Sequence, residues 1–338
     1  MNMKVFAAGM LLCLAATACQ TDSVSIRVER TVFLMGTVAT FVVEALDRET
    51  GLNRLDRMVR VIEETEAELS TWQNDSVLSA LNRQPVKTWL PLPSSVCVLL
   101  EQVATWHRRT NGRFDPAVGR LIEAWALRAG GRHPSNDTLV TAKARSGFRH
   151  VSLDAVRCSA SRLTDVTLDA GGFGKGAALD RVRHAERGRP GGWLIDFGGQ
   201  IAVSSTSPDR AWPVAVAHPE RRDVPVVELH LTEGSLATTG GSERDVVSDE
   251  NDQLGHIVDP QTGMPVSRSS SVTVWHRDAL VADILSTALY VMGINEGRDW
   301  AEENGIAACF LILSERDGVT SGTEVNFVAT TSFRQRFL

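Results

Sequence analysis

The 338-residue chain has no Cys-x-x-Cys pair and no Cys/His cluster, which argues against a zinc site. It has no run of basic residues. Its 35 Lys and Arg face 41 Asp and Glu, for a formal net charge of −6, which argues against nucleic acid as a partner. Repeats, low-complexity tracts and long Pro/Gly/Ser linkers are also missing, so nothing marks a division into tethered modules. Beyond the first 20 residues no apolar stretch reaches the roughly 20 residues that a bilayer crossing needs. Cysteine is scarce at five. Cys97, Cys158 and Cys309 sit among apolar residues and read as core thiols rather than as ligands or a disulfide framework.

What the chain does have is enough apolar material for a sizeable core, 43% of its residues. Its first segment is set apart: Lys4, then an apolar stretch from Val5 to Ala16, then small residues and Cys19. A charged start, a short apolar centre and a small-residue exit make a secretory signal. The Cys after Ala16-Thr17-Ala18 points to cleavage before Cys19 and acylation of its thiol, as in bacterial lipoproteins. An ordinary signal with an incidental Cys is the plainer alternative. The expected division is a lipoprotein signal peptide at 1–18, a tether at 19–30 and one domain at 31–338. The corresponding location is the cell envelope, on the inner membrane facing the periplasm.

Residues 31–45 are β-rich and read as one or two strands, with Met35-Gly36-Thr37 inside them. Leu52, Leu55, Val59, Ile62 and Leu69 recur at helical spacing. Ser94 opens a second helix, and Asp115-Pro116 carries the N-cap and first-turn signals of a third. Strands are expected at 163–168, 193–203, 212–217, 225–231, 270–276 and 306–313. Helices are expected at 175–187, 281–292 and 295–304. Mixed elements without a strict βαβ rhythm indicate the α+β class.

Three segments carry chemistry. In TLDAGGFGKGAALDRV, 167–182, a strand end, a Gly-rich turn and a helix start make a candidate phosphate cradle, with Lys175 adding charge. The glycine spacing fits neither a P-loop nor a dinucleotide fingerprint. A plain strand–turn–helix connection is the bland alternative. In VADILSTALY, 281–290, Asp283 and Thr287 lie four apart and share a helix face amid apolar neighbours. A carboxylate with a hydroxyl suits a hard cation such as Mg²⁺; a solvated polar stripe is the common alternative. In GHIVDPQTGMPV, 255–266, His256 alternates with Val258, so one faces a site and the other the core, or His256 is simply structural beside a turn. Ser70-Thr71-Trp72-Gln73-Asn74 follows a helix, and Trp72 is placed to cover a flat ring. GGSER at 240–244 reads as a polar turn.

Taken in order, MGT at 35–37, STWQNDSVLSALN at 70–82, GRFDPAVG at 112–119, LDAGGFGKGAALD at 168–180, IDFGG at 195–199, SLATTGGSER at 235–244, HIVDPQTGMPV at 256–266 and ADILSTAL at 282–289 resemble the ApbE family, the FAD:protein FMN transferases. The resemblance implies a single α+β, T-fold-related domain with mixed sheets, packing helices and a flavin-binding cleft. It implies that Met35, Trp72, Gln73, Asn74, Asp115, Gly171, Lys175, Ala177, His256 and Ile257 line or adjoin the flavin. It implies Mg²⁺ held by the Gly174 carbonyl, Asp283 and Thr287. The implied reaction splits FAD, esterifies FMN to a Thr or Ser of an acceptor flavoprotein and releases AMP, with His256 or Asp283 as the base. This chain departs from the family pattern at Gly174, Ala177 and Gly241-Ser242. The competing functions are an FAD pyrophosphatase giving FMN and AMP, and a non-catalytic periplasmic FAD-binding lipoprotein.

Overall fold

The computed structural model describes residues 25–241, 245–248, 250, 253–267, 269–315 and 323–338. The signal segment and Cys19 lie outside these residues, as do Ser242, Glu243 and Arg244 of the GGSER turn. No described helix is long and apolar enough to cross a membrane.

An eight-stranded antiparallel sheet organises the chain. Its order across the sheet is Ile26–Leu34, Thr37–Ala45, Trp193–Phe197, Gln200–Ser204, Glu233–Gly240, Ser270–His276, Ala307–Glu315 and Thr323–Ala329. One face carries the helices Arg48–Leu69, Gly174–Ala185 and Ala279–Met292. The alternation in Thr37–Ala45 explains this: Ala39, Phe41 and Val43 are buried against Leu55, Met58 and Ile62 of the first helix. Toward the middle of the sheet, the other face is covered by the hairpin Trp212–Ala217/Pro225–Leu231 and the last helix, Thr331–Phe337.

The elements expected from sequence are largely in place, with instructive exceptions. The β-rich segment forms two strands, and Met35-Gly36 is the hairpin turn between them, with φ of 47° and 74°. Both residues take positive φ, as a two-residue turn matching strand twist requires. The first strand starts at Ile26, so residues 26–30, expected as tether, belong to the sheet. The 193–203 run breaks into two strands at the Gly198-Gly199 turn.

The expected strand at 163–168 is irregular, and the strand nearby is Ser159–Arg162. Its backbone bonds go elsewhere: the Asn82 amide brackets Leu168, accepting from its N–H and donating to its carbonyl at 2.8 Å each. The helix expected from Asp115-Pro116 starts only at Gly119. Asp115 instead accepts from the N–H groups of Ala117 and Phe148 at 2.8 and 3.0 Å, pinning a distant loop. Cys97 and Cys158, read as core thiols, form a disulfide across 61 residues, with Cα atoms 5.5 Å apart. Burial near each other in space, invisible in sequence, is what pairs them. Cys309 remains a buried free thiol, and burial pushes its pKa up to about 12.

Candidate active site

The helix Ala279–Met292 explains the position of Asp283 and Thr287. Every residue in it is buried except Thr287. Its N-terminus is held by Asp180, which accepts from the N–H groups of Ala279 and Leu280 at 2.8 and 3.0 Å. Burial raises the Asp180 pKa, against the lowering effect of those two N–H groups. The helix packs on Gly174–Ala185 so closely that a Cβ at Gly176 would lie 2.5 Å from the Ala279 carbonyl and 2.8 Å from the Asp283 Cβ. Only glycine allows this approach. At the crossing the Gly176 N–H donates to Asp283 Oδ2 at 2.9 Å.

Asp283 and Thr287 thus open on a cleft of about 720 Å³. Its floor is the Gly-rich turn Gly171–Lys175. Its walls include the Met35-Gly36 turn, the Thr71–Gln73 loop, Thr238–Gly240 and His256–Val258. Lys175 reaches across and donates from Nζ to the Gly198 carbonyl at 3.1 Å. Arg222, from the hairpin on the far sheet face, also arrives at the Gly198-Gly199 turn. Glu66 accepts from the Met35 N–H at 3.0 Å and holds the strained turn at the rim.

The aromatic side of the mouth is Trp72, 72% exposed, with the Arg128 guanidinium 4.6 Å from its ring centre. Arg128 also pairs with Asp169, and burial lowers its pKa. This stacking fixes a flat apolar surface at the entrance.

Met35, Trp72, Gln73, Asp115, Gly171, Gly174, Lys175, His256, Ile257, Asp283 and Thr287 therefore meet at one cleft although they span most of the chain. Asn74 and Ala177 do not line it. Asn74 borders a neighbouring depression, and Ala177 is packed in the core. Asp115 is at the rim, but its carboxylate serves the backbone. Burial pushes its pKa up, with His107 opposing.

The Gly-rich turn makes backbone bonds of its own. Its N–H groups are largely committed: Gly171 donates to Asp169, Phe173 and Gly174 to the Ala170 carbonyl, and Gly176 to Asp283. Gly174 is the first residue of its helix, while the residue facing Thr287 is Gly172. A Cβ on Gly172 would lie 3.3 Å from Thr287 Oγ1.

Among the described residues no group of three or more His, Cys, Asp or Glu gathers as a metal cage. The donors here are one carboxylate, one hydroxyl and backbone oxygen, all hard. That chemistry fits Mg²⁺, which keeps waters and takes phosphate oxygens as further ligands.

Sequence reading missed Glu66, Arg128, Asp169 and Arg222. Asp169 could have been flagged as the acid entering the Gly-rich turn. Arg222 sits in the charged loop HPERRD, which carries no signal for a site on the opposite sheet face.

The comparisons with known proteins agree with this arrangement. The family model described as "ApbE family" matches residues 35–310. A Haemophilus influenzae FAD:protein FMN transferase is 25% identical over 94% of this chain and 95% of its own length. A Chlamydia trachomatis FAD:protein FMN transferase is 30% identical over 78% of this chain and 84% of its own length. A crystal structure of the Thermotoga maritima ApbE protein superposes with a TM-score of 0.82 at 26% identity, covering 92% of this chain and 99% of that one. The Pseudomonas stutzeri flavinyl transferase ApbE, in its apo form, gives 0.79 at 25% identity over 93% and 97%. With its α+β fold, its cleft and its motifs in family order, this chain belongs to the ApbE family.

Proposed function

We propose that this chain is a Mg²⁺-dependent FAD:protein FMN transferase that esterifies FMN to a Thr or Ser hydroxyl of an acceptor flavoprotein and releases AMP. The observation that carries the reading is the cleft-facing Asp283–Thr287 pair on an otherwise buried helix, set against the Gly-rich turn. A buried carboxylate is costly unless paired or bound, and this one stands beside the one unburied residue of its helix. The names of the H. influenzae and C. trachomatis relatives support the reaction.

Asp283, Thr287 and the Gly174 carbonyl would hold the metal, which when bound would neutralise charge on the pyrophosphate. Lys175 and Arg222 add positive charge on the adjoining wall. Trp72 offers a flat surface to the isoalloxazine ring. His256 faces the cleft and takes the proton of the acceptor hydroxyl. The hydroxyl oxygen forms a bond to the FMN phosphorus, and the bond from that phosphorus to the AMP oxygen breaks. The proton stays on His256 and AMP leaves with the bonding electrons.

Export and lipid anchoring at Cys19 complete the proposal. The Cys97–Cys158 bridge supports an oxidising compartment.

The test is incubation of the protein with FAD, Mg²⁺ and a candidate Thr-bearing flavoprotein domain. Protein-bound flavin fluorescence after denaturation, with one AMP per FMN transferred, is the expected result. FMN plus AMP without labelled protein would instead make it a pyrophosphatase, and intact bound FAD would make it a storage protein. Asp283→Ala should lower Mg²⁺-dependent turnover by about 10²-fold or more, as loss of a principal metal or transition-state contact does. Normal turnover in that variant would sink the metal assignment.

A further inference from the structure

The imidazole of His256 lies between the cleft and a buried acid that no motif of the sequence reading included. Asp245 has a side chain only 6% exposed, against 26% for His256. One oxygen of Asp245, Oδ1, meets His256 twice: it accepts from the backbone N–H at 3.1 Å and lies 3.1 Å from ring Nδ1. The two residues are 11 apart in sequence. They are brought together where the pairing Val246↔Leu254, Val247↔Gln253 folds the chain back on itself. His256 lines the cleft and Asp245 does not, so the acid stands behind the ring.

We propose that Asp245 is the positioning residue of His256: it holds the proton on Nδ1 and leaves the Nε2 lone pair facing the cleft. An anionic carboxylate accepts a hydrogen bond and cannot donate one. Contact with Nδ1 therefore selects the tautomer whose other nitrogen is the proton acceptor. The same carboxylate stabilises the imidazolium formed when that nitrogen takes a proton. The doubled contact with Oδ1 also restricts rotation of the ring, because the backbone anchor and the ring anchor are one atom.

The other charged groups of the cleft wall have their own contacts. Arg128 pairs with Asp169, and Arg113 with Glu296 and Asp259. Glu66 receives the Met35 N–H, Asp115 those of Ala117 and Phe148, and Asp283 that of Gly176. Lys175 is held at the Gly198 carbonyl, and Arg222 stands beside Gly199. Among the described residues Asp245 is the acid in contact with the His256 ring.

The consequence for catalysis rests on the proposed transfer reaction, but the pairing can be read without it. The test uses the full chain labelled with ¹⁵N, with His256→Ala identifying the His256 signals among the eight histidines. Long-range ¹H–¹⁵N spectra should show neutral His256 protonated on Nδ1 and bare on Nε2. In Asp245→Asn, whose side chain can donate as well as accept, the share of the neutral ring protonated on Nδ1 should fall. Asp245→Glu, which keeps the charge, should recover part of that loss. A thermal melt of each variant checks that it is folded.

AMP release from FAD and Mg²⁺, followed against pH, supplies the second readout. The plateau should fall about tenfold or more, as weaker general-base help predicts, while FAD affinity stays within about twofold because the ring remains in place. An Nε2-protonated ring in the wild type would overturn the proposal, with no variant needed. So would an unchanged distribution of the ring proton between Nδ1 and Nε2 in Asp245→Asn. A wild type with the Nδ1-protonated signature that leaves FAD uncleaved would overturn the transferase reading and leave the pairing standing.

Discussion

Asp165 shows how a single residue couples this fold to pH. Partial burial pushes its carboxyl up, but Arg120 and Arg162, at 2.5 and 3.2 Å, more than offset that and hold it below the usual 3.8. A carboxyl whose folded pKa is lowered contributes stability above its unfolded value and loses it as pH falls through the folded one. Asp165→Asn should therefore melt lower than wild type at pH 7, and the difference should close toward pH 2. The side chain is 41% exposed, so screening keeps the deficit to about 1–2 °C. Melting curves across pH check it. At this scale the sequence was legible where spacing is local. Asp283 and Thr287 are one helical turn apart, and that alone puts them on one face. Asp245 and His256 are joined through a chain reversal, and no periodicity announces it. Asn74 borders the neighbouring depression, which Thr71 lines as well as the cleft, so order along the loop does not tell which hollow each residue joins.

At the scale of elements, the crossing of Gly174–Ala185 with Ala279–Met292 positions the site. Gly176 meets backbone atoms of the facing helix, which cannot rotate away as a side chain end would. Gly176→Ala should separate the helices, cost about 1–3 kcal/mol as overpacking does, and weaken Mg²⁺-dependent activity by moving Asp283. Comparing its thermal melt and its Mg²⁺ titration with wild type tests both effects; a fully stable variant would show that the crossing has slack. Most helices and the long strands were readable because their apolar residues repeat at 3.6 or 2. The segments misread, 115–118 and 163–168, are those whose backbone groups are satisfied by side chains from elsewhere. Asp115 and Asn82 do there what a helix or ladder would otherwise do.

For the whole molecule, the Cys97–Cys158 bridge ties the helix Ser94–Arg109 to the turn before Ser159–Arg162. A ring of about 60 residues removes unfolded-state entropy worth about 4 kcal/mol in the chain-entropy model. Reduction, or the double change Cys97→Ala with Cys158→Ala, should lower the melting temperature by several degrees; an unchanged melt would argue that the bridge carries no stability.

The sequence by itself determined the α+β class, most element positions, the family motifs and the residue types gathered at the site. Each of these depends on local periodicity or on a short motif, which the chain carries along its length. Only the tertiary structure decided that Gly176 lets the two site helices meet, that two cysteines are bridged, and that Asp245 stands behind His256. Those facts depend on which segments lie side by side. Packing decides that, because burying one face of each element against another selects neighbours that are far apart in the chain.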